Sequence, residues 1–153
     1  MLTVGDTVPN IKLASSKGGE TSLTDLKGKK IVLYFYPKDD TPGCTTEACA
    51  FRDHVKSYHD LNAVIIGVSK DPLSKHDKFI EKYGLPFELL SDVDHQLAEA
   101  FGAWDQKSLY GKLFMGMIRS TFLIDEDGKI VREWRKVKVA GHVEEVLEAA
   151  RAL

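Results

Sequence analysis

Ile31-Val32-Leu33-Tyr34-Phe35-Tyr36 runs without a break into Pro37-Lys38-Asp39-Asp40-Thr41-Pro42-Gly43-Cys44-Thr45-Thr46-Glu47-Ala48-Cys49. The first six residues are apolar or aromatic with β-branched members, the pattern of a strand covered on both faces. Pro37 ends it. Thr41 is a good helix N-cap, and Pro42 suits the first helical position. From there Cys44, Ala48, Phe51, Val55 and Tyr58 recur at helical spacing and form one core-facing stripe. Ala63 to Val68 reads as a second buried strand. Strand, helix and strand in that order predict a right-handed parallel crossover.

Further out, Asp71 and Pro72 open a helix over Leu73 to Tyr83, which Gly84 and Pro86 stop. Phe87 to Leu90 is a short strand candidate, and Asp94 is placed to cap a helix over Gln96 to Phe101. Ser120 to Ile124 and Lys129 to Arg135 alternate around Asp127-Gly128, a hairpin signal. The last helix starts near Gly141 with Glu144 and Glu145 in its first turn, where the helix dipole favours them. Two short strands are expected around Ile11-Lys12-Leu13 and Glu20-Thr21-Ser22. The sum is an α/β protein with a mixed central sheet flanked by helices, in the thioredoxin-like order. With no repeat or linker, residues 1–153 are expected to form one domain.

The composition narrows the function. The chain is 43% hydrophobic and 29% charged, with a net charge of −2 and the two signs mixed along it. Such mixing gives no basic patch for nucleic acid and no basic amphipathic stretch for a membrane surface. Met1 to Asp6 lacks the basic start and apolar core of a signal peptide, so a cytoplasmic location is expected. In that compartment a close cysteine pair points to catalysis, redox chemistry or metal binding before structural cross-linking.

Cys44 and Cys49 are the only cysteines. Cys44 falls at the third helical position, where unpaired backbone N–H groups and the positive end of the dipole converge. The position should lower the pKa of Cys44 below that of a free thiol. The Thr41 hydroxyl, one turn away, is within reach of the sulfur or of an incoming oxygen. Cys49 is rotated by about 140° from Cys44 and joins the side of Asp53, Lys56 and Asp60. On ideal geometry the two Cα atoms are about 8.7 Å apart, beyond the ~7 Å reach of a disulfide, so bonding requires the turn to unwind. The alternatives are a small buried thiol, above all at Cys49, and a zinc site, for which no second cysteine pair exists and His54 and His59 lie off the face of Cys49. The five histidines read as ordinary surface residues, with His142 local to the last helix.

Pro37 to Cys44 resembles the proline-x-x-x-threonine-x-x-cysteine signature of peroxiredoxins. The continuation to Cys49 and Phe51-Arg52-Asp53 is similar to the peroxiredoxin Q, or bacterioferritin comigratory protein, subgroup. So are Tyr110-Gly111-Lys112, Met115-Gly116 and Arg119 to Asp125. The resemblance implies a thiol peroxidase with Cys44 as the peroxidatic and Cys49 as the resolving cysteine. It also implies that Thr41 and Arg119 hold the thiolate and peroxide, and that Pro37 shields the pocket. A guanidinium at Arg119 would favour a thiolate and the charge that shifts between the peroxide oxygens. Glu47 is open to two readings, orienting Arg119 or facing water. Phe51, Trp104 and Phe114-Met115-Gly116-Met117 are candidates for an apolar wall or for core.

The implied cycle takes a hydroperoxide to a Cys44 sulfenic acid, then to an intramolecular disulfide, then back to thiols with a thioredoxin-type reductant. It needs no metal, flavin or haem, and no partner subunit, so a monomer is expected. Two other functions fit the same pair: a thiol–disulfide oxidoreductase acting on proteins, although those usually use Cys-x-x-Cys, and a non-enzymatic redox sensor or holdase-like binding protein.

Overall fold

The computed structural model describes residues 1–153. At its centre lies β3 (Lys30–Phe35), flanked by β4 (Ala63–Ser69) in parallel and β8 (Ser120–Ile124) antiparallel. β5 (Glu88–Ser91) continues the parallel side, while β1 (Leu13–Ser15) and β2 (Glu20–Thr21) add antiparallel strands beyond it. β9 (Ile130–Arg135) closes the other edge against β8. The seven-stranded sheet has the order β2-β1-β5-β4-β3-β8-β9. This is the mixed α/β sheet that the sequence predicts.

Both faces of β3 are covered, which explains its unbroken apolar run. Val32, Tyr34 and Tyr36 face one core with α1 (Pro42–Asp53), α2 (Val55–Asp60), α3 (Leu73–Tyr83) and α5 (His142–Arg151). Ile31, Leu33 and Phe35 face the other with Leu97 and Ala98 of α4 (Gln96–Ala100), Phe101 and Phe122. In the first core the Phe51 ring lies 4.6 Å from that of Tyr34 and 6.0 Å from that of Tyr58. Truncating so enclosed a ring costs about 3–5 kcal/mol. The Tyr58 hydroxyl donates to the Val143 carbonyl at 2.7 Å and fastens α2 to α5.

Four expectations need correction. The helix after β3 does not run through to Tyr58: it breaks at His54, whose N–H bonds back to Phe51 and whose Nδ1 donates to the Ala50 carbonyl at 2.9 Å. Lys56 and Asp60 therefore belong to a different helix from Cys49. Asp94 does not cap α4. Asp92 does, accepting from the N–H groups of Leu97 and Ala98, because His95 takes a left-handed turn (φ 48°) that folds the helix start back onto it. Of the expected first strand only Leu13 lies in β1. Nor are all the histidines on the surface: His76 is fully enclosed and His142 is buried with Nε2 2.7 Å from the Thr121 hydroxyl. Each has polar partners inside the protein, which composition cannot show.

A separate hairpin, β6 (Trp104–Leu109) with β7 (Lys112–Met117), turns at Tyr110-Gly111 and stands outside the main sheet. No helix is long and apolar enough to cross a membrane.

Candidate active site

The site lies where β3 hands over to α1. Thr41 holds the N-cap position with extended backbone (φ −95°, ψ 155°), and Pro42 opens the helix. Proline is tolerated there because the first turn has no acceptor for its missing N–H. Cys44, third in α1, is 1% exposed, and its thiol is free.

Arg119 reaches the same point from the neighbouring strand. β8 pairs with β3 so that Ser120 faces Phe35, which sets Arg119 beside the carboxyl end of β3. Its Nη2 donates to Cys44 Sγ at 3.4 Å and its Nη1 to Glu47 Oε1 at 2.6 Å. Gly43 leaves room for this approach: a Cβ there would lie 3.2 Å from Arg119 Nη2. Burial works against the charge on Arg119, but Glu47 and then Cys44 more than offset it and hold the guanidinium protonated.

Glu47 is fully enclosed one turn after Cys44, so of its two readings the one facing Arg119 is correct. Burial pushes its carboxyl up to about 7, against the opposing pull of Arg119. Only one of its oxygens is satisfied; Oε2 has no partner, and neither has the nearby buried hydroxyl of Tyr34. Burial first, then Glu47 and Cys44, raise Tyr34 far above the ordinary tyrosine value.

Thr41 differs from expectation. Its hydroxyl proton goes to the Lys38 carbonyl at 2.8 Å, so it neither caps the helix nor donates to the sulfur. What it offers to a bound molecule in this arrangement is acceptor capacity. Pro37, half-buried, joins β3 to this loop. Cys49 is half-buried, free, and on the same intact helix as Cys44. It acts on Arg52, whose charge Asp53 and then Cys49 favour. Arg52 Nη1 also donates to the Tyr83 carbonyl at 2.7 Å, tying the end of α1 to the end of α3. No group of three or more His, Cys, Asp or Glu side chains is arranged to hold a metal.

The expected apolar wall is only partly assembled. Phe51 belongs to the core, and Trp104 is stacked on His95 with ring centroids 4.1 Å apart. Phe114 and Met115 are exposed, whereas Met117 is buried under the opposite face of the sheet. What the sequence reading missed is Lys107. It pairs across the hairpin with Phe114, and its Nζ donates to the Met117 carbonyl at 2.9 Å. Burial and then Arg119 lower its pKa, while Cys44 acts the other way, so a second cation stands near the sulfur. Nothing in the local sequence distinguishes Lys107 from a surface lysine; only the hairpin brings it there.

A cysteine in the first turn of a helix, faced by an arginine just before an inner strand of a thioredoxin-like sheet, points to the peroxiredoxin class. The chain belongs to the AhpC/TSA family, whose model matches residues 4–133. It is 55% identical over 98% of its length to a Bacillus subtilis protein named peroxiredoxin Bcp, of which 96% is covered. Its structure resembles Xanthomonas campestris peroxiredoxin Q with a TM-score of 0.92 and 43% identity, covering 97% of each chain. A second Xanthomonas campestris structure, a bacterioferritin comigratory protein studied for its alkyl peroxide reduction activity, matches with a TM-score of 0.92 and 42% identity over 98% of each chain. Within the family the chain stands with the peroxiredoxin Q, or bacterioferritin comigratory protein, subgroup, and it is a peroxidase acting on hydroperoxides.

Proposed function

We propose that the chain reduces hydrogen peroxide and organic hydroperoxides at Cys44, with Cys49 as the resolving thiol and a thioredoxin-type dithiol as reductant. The observation that carries this is the Arg119 Nη2 contact to Cys44 Sγ at 3.4 Å, at the first turn of a helix. The guanidinium and the helix start both favour negative charge on that sulfur. The Cys44 thiolate attacks one peroxide oxygen, the O–O bond breaks, and the departing oxygen leaves as water or alcohol after taking a proton. Arg119 stabilises the charge as it moves between the oxygens. Thr41, its proton committed to Lys38, accepts the hydrogen bond of the incoming hydroperoxide. Pro37 closes the side of the pocket from which water would enter.

Cys44 is left as a sulfenic acid. The first turns of α1 then unwind, the Cys49 thiol attacks the oxidised sulfur, a disulfide forms, and water departs. A dithiol reductant exchanges with that disulfide and restores both thiols. In this reading the chain is a cytoplasmic, monomeric, single-domain enzyme of antioxidant defence, with sulfur as its only redox centre. The activity of the Xanthomonas relative supports alkyl hydroperoxides as substrates.

The test is a stopped-flow reaction of the reduced protein with hydrogen peroxide, followed by mass spectrometry of the peptide that spans both cysteines. One equivalent of peroxide should yield one intramolecular Cys44–Cys49 disulfide. Peroxide consumption without that linkage would exclude the proposed resolution step.

A further inference from the structure

The loop between β3 and α1 is held by a buried polar cluster that the chemistry at Cys44 does not touch. Asp39, buried, accepts from the Tyr36 hydroxyl at 2.5 Å through Oδ1. Its Oδ2 lies 2.7 Å from Nδ1 of His76, a residue of α3 with no exposed surface. The other ring nitrogen of His76 donates to the Leu90 carbonyl at 3.0 Å. The Asp39 N–H donates to Asp71 Oδ2 at 2.8 Å, and that oxygen also receives the Ser69 hydroxyl at 2.7 Å. α3 therefore grips one residue of the loop directly, two positions after Pro37 and two before Thr41, while β5 braces His76 and β4 braces Asp71.

Such an arrangement is costly unless complete, since each buried polar group left without its partner is penalised. An apolar residue at position 76 would leave the Asp39 carboxylate and the Leu90 carbonyl without these partners, whereas the histidine spends both nitrogens on the loop and on β5. The adjacent Asp40 is the contrast. Its carboxylate takes Lys82 Nζ at 2.9 Å and the Tyr83 hydroxyl at 2.7 Å, but in solvent, where such pairs contribute little. The buried member of the two fixes the loop.

We propose that His76 is a positioning residue for the peroxide reaction. Through Asp39 it sets the backbone of residues 37–41, and hence the Lys38 carbonyl that orients Thr41 and the first turn that presents Cys44 to Arg119. This rests on Cys44 being the attacking sulfur. Displacements of about 1 Å at reacting groups are enough to slow a reaction a hundredfold, so a remote clamp of this kind has kinetic consequences.

Two amide substitutions separate the two bonds of the ring. His76→Asn keeps a donor where Nδ1 faces Asp39; His76→Gln keeps one where Nε2 faces Leu90. Each reduced variant is mixed with hydrogen peroxide in single turnover, and its thermal midpoint is recorded in parallel. His76→Gln should react at least tenfold more slowly than the unmodified protein, with His76→Asn within about threefold of it, although both lose thermal stability. Equal rates in the two variants, or slowing that simply follows the loss of stability, would overturn the proposal. If either histidine variant fails to fold, Tyr36→Phe removes the other bond to Asp39 with little change in volume. It should slow the same step several-fold, and an unchanged rate would count as a failure. The unmodified protein is the control. If it is not oxidised at Cys44, the assignment of the attacking sulfur fails; if it is, and the variants match it, the role of His76 alone fails.

Discussion

Cys44 and Cys49 share one helix and differ in almost everything else. Cys44 is enclosed, lies in the first turn, and receives a guanidinium hydrogen bond from Arg119, just before β8. Cys49 is half-buried in the middle of the helix, with its charged neighbours Arg52 and Asp53 drawn from the same helix. The contrast teaches that thiol chemistry is divided by tertiary placement, not by sequence spacing. Under the proposed cycle the first sulfur meets the oxidant, and the second, beside Arg52, meets the first only once the helix opens.

The strongest way to break the comparison is to remove the enclosed sulfur. Cys44→Ser should abolish peroxide consumption in a coupled thioredoxin assay, and residual consumption would mean that the two cysteines are not so divided. Cys49→Ser should lose sustained turnover while keeping the first oxidation at its normal rate. Mass spectrometry should then find Cys44 stalled as a sulfenic acid or a mixed disulfide, and normal steady-state turnover would reverse the roles. Arg119→Ala should slow the first oxidation by about 100-fold, the usual effect of losing one oriented donor to a developing charge. A single-turnover rate within twofold of normal would show that the helix start suffices alone.

The smallest expected effect concerns the acid behind the arginine. The Glu47 carboxyl is held up to about 7 in the folded chain, against an ordinary 4.5. The folded state therefore retains a proton that the unfolded state has released, and this contribution to stability declines as pH rises from about 4.5 to about 7. Glu47→Gln has no such proton. Urea unfolding on either side of that window should show a shallower decline in the variant, whereas identical slopes would mean that Glu47 ionises normally.

Much of this was legible in the chain. The run from Ile31 to Tyr36 announces a doubly covered strand because every residue in it is apolar. Thr41, Pro42 and Gly84 mark helix ends by backbone geometry alone, and α3 occupies the residues expected of it. The sequence singles out Cys44 and Arg119 as candidates, and the structure brings them into contact. What escaped depends on long-range contacts. Whether Glu47 faces water or Arg119 is decided by β8, distant in sequence. The break at His54 needs a side chain that bonds to its own helix. The enclosed His76 looks like any helix-surface histidine until Asp39 and Leu90 are placed beside it. The proton of Thr41 follows a carbonyl, and carbonyl directions are not written in residue types.

Tyr83 touches both ends of the segment that contains the cysteines: its hydroxyl meets Asp40 before α1, and its carbonyl meets Arg52 near the end of it. The Asp40 contact is exposed, but Asp39 beside it is held by His76 and Asp71, so a stretch that melts between Asp39 and Arg52 behaves as a closed loop, not as a loose tail, and gains correspondingly little chain entropy. Loops of about ten residues close within roughly 10–100 ns. The proposed excursion that brings the sulfurs together would thus be confined to α1, leaving the sheet undisturbed.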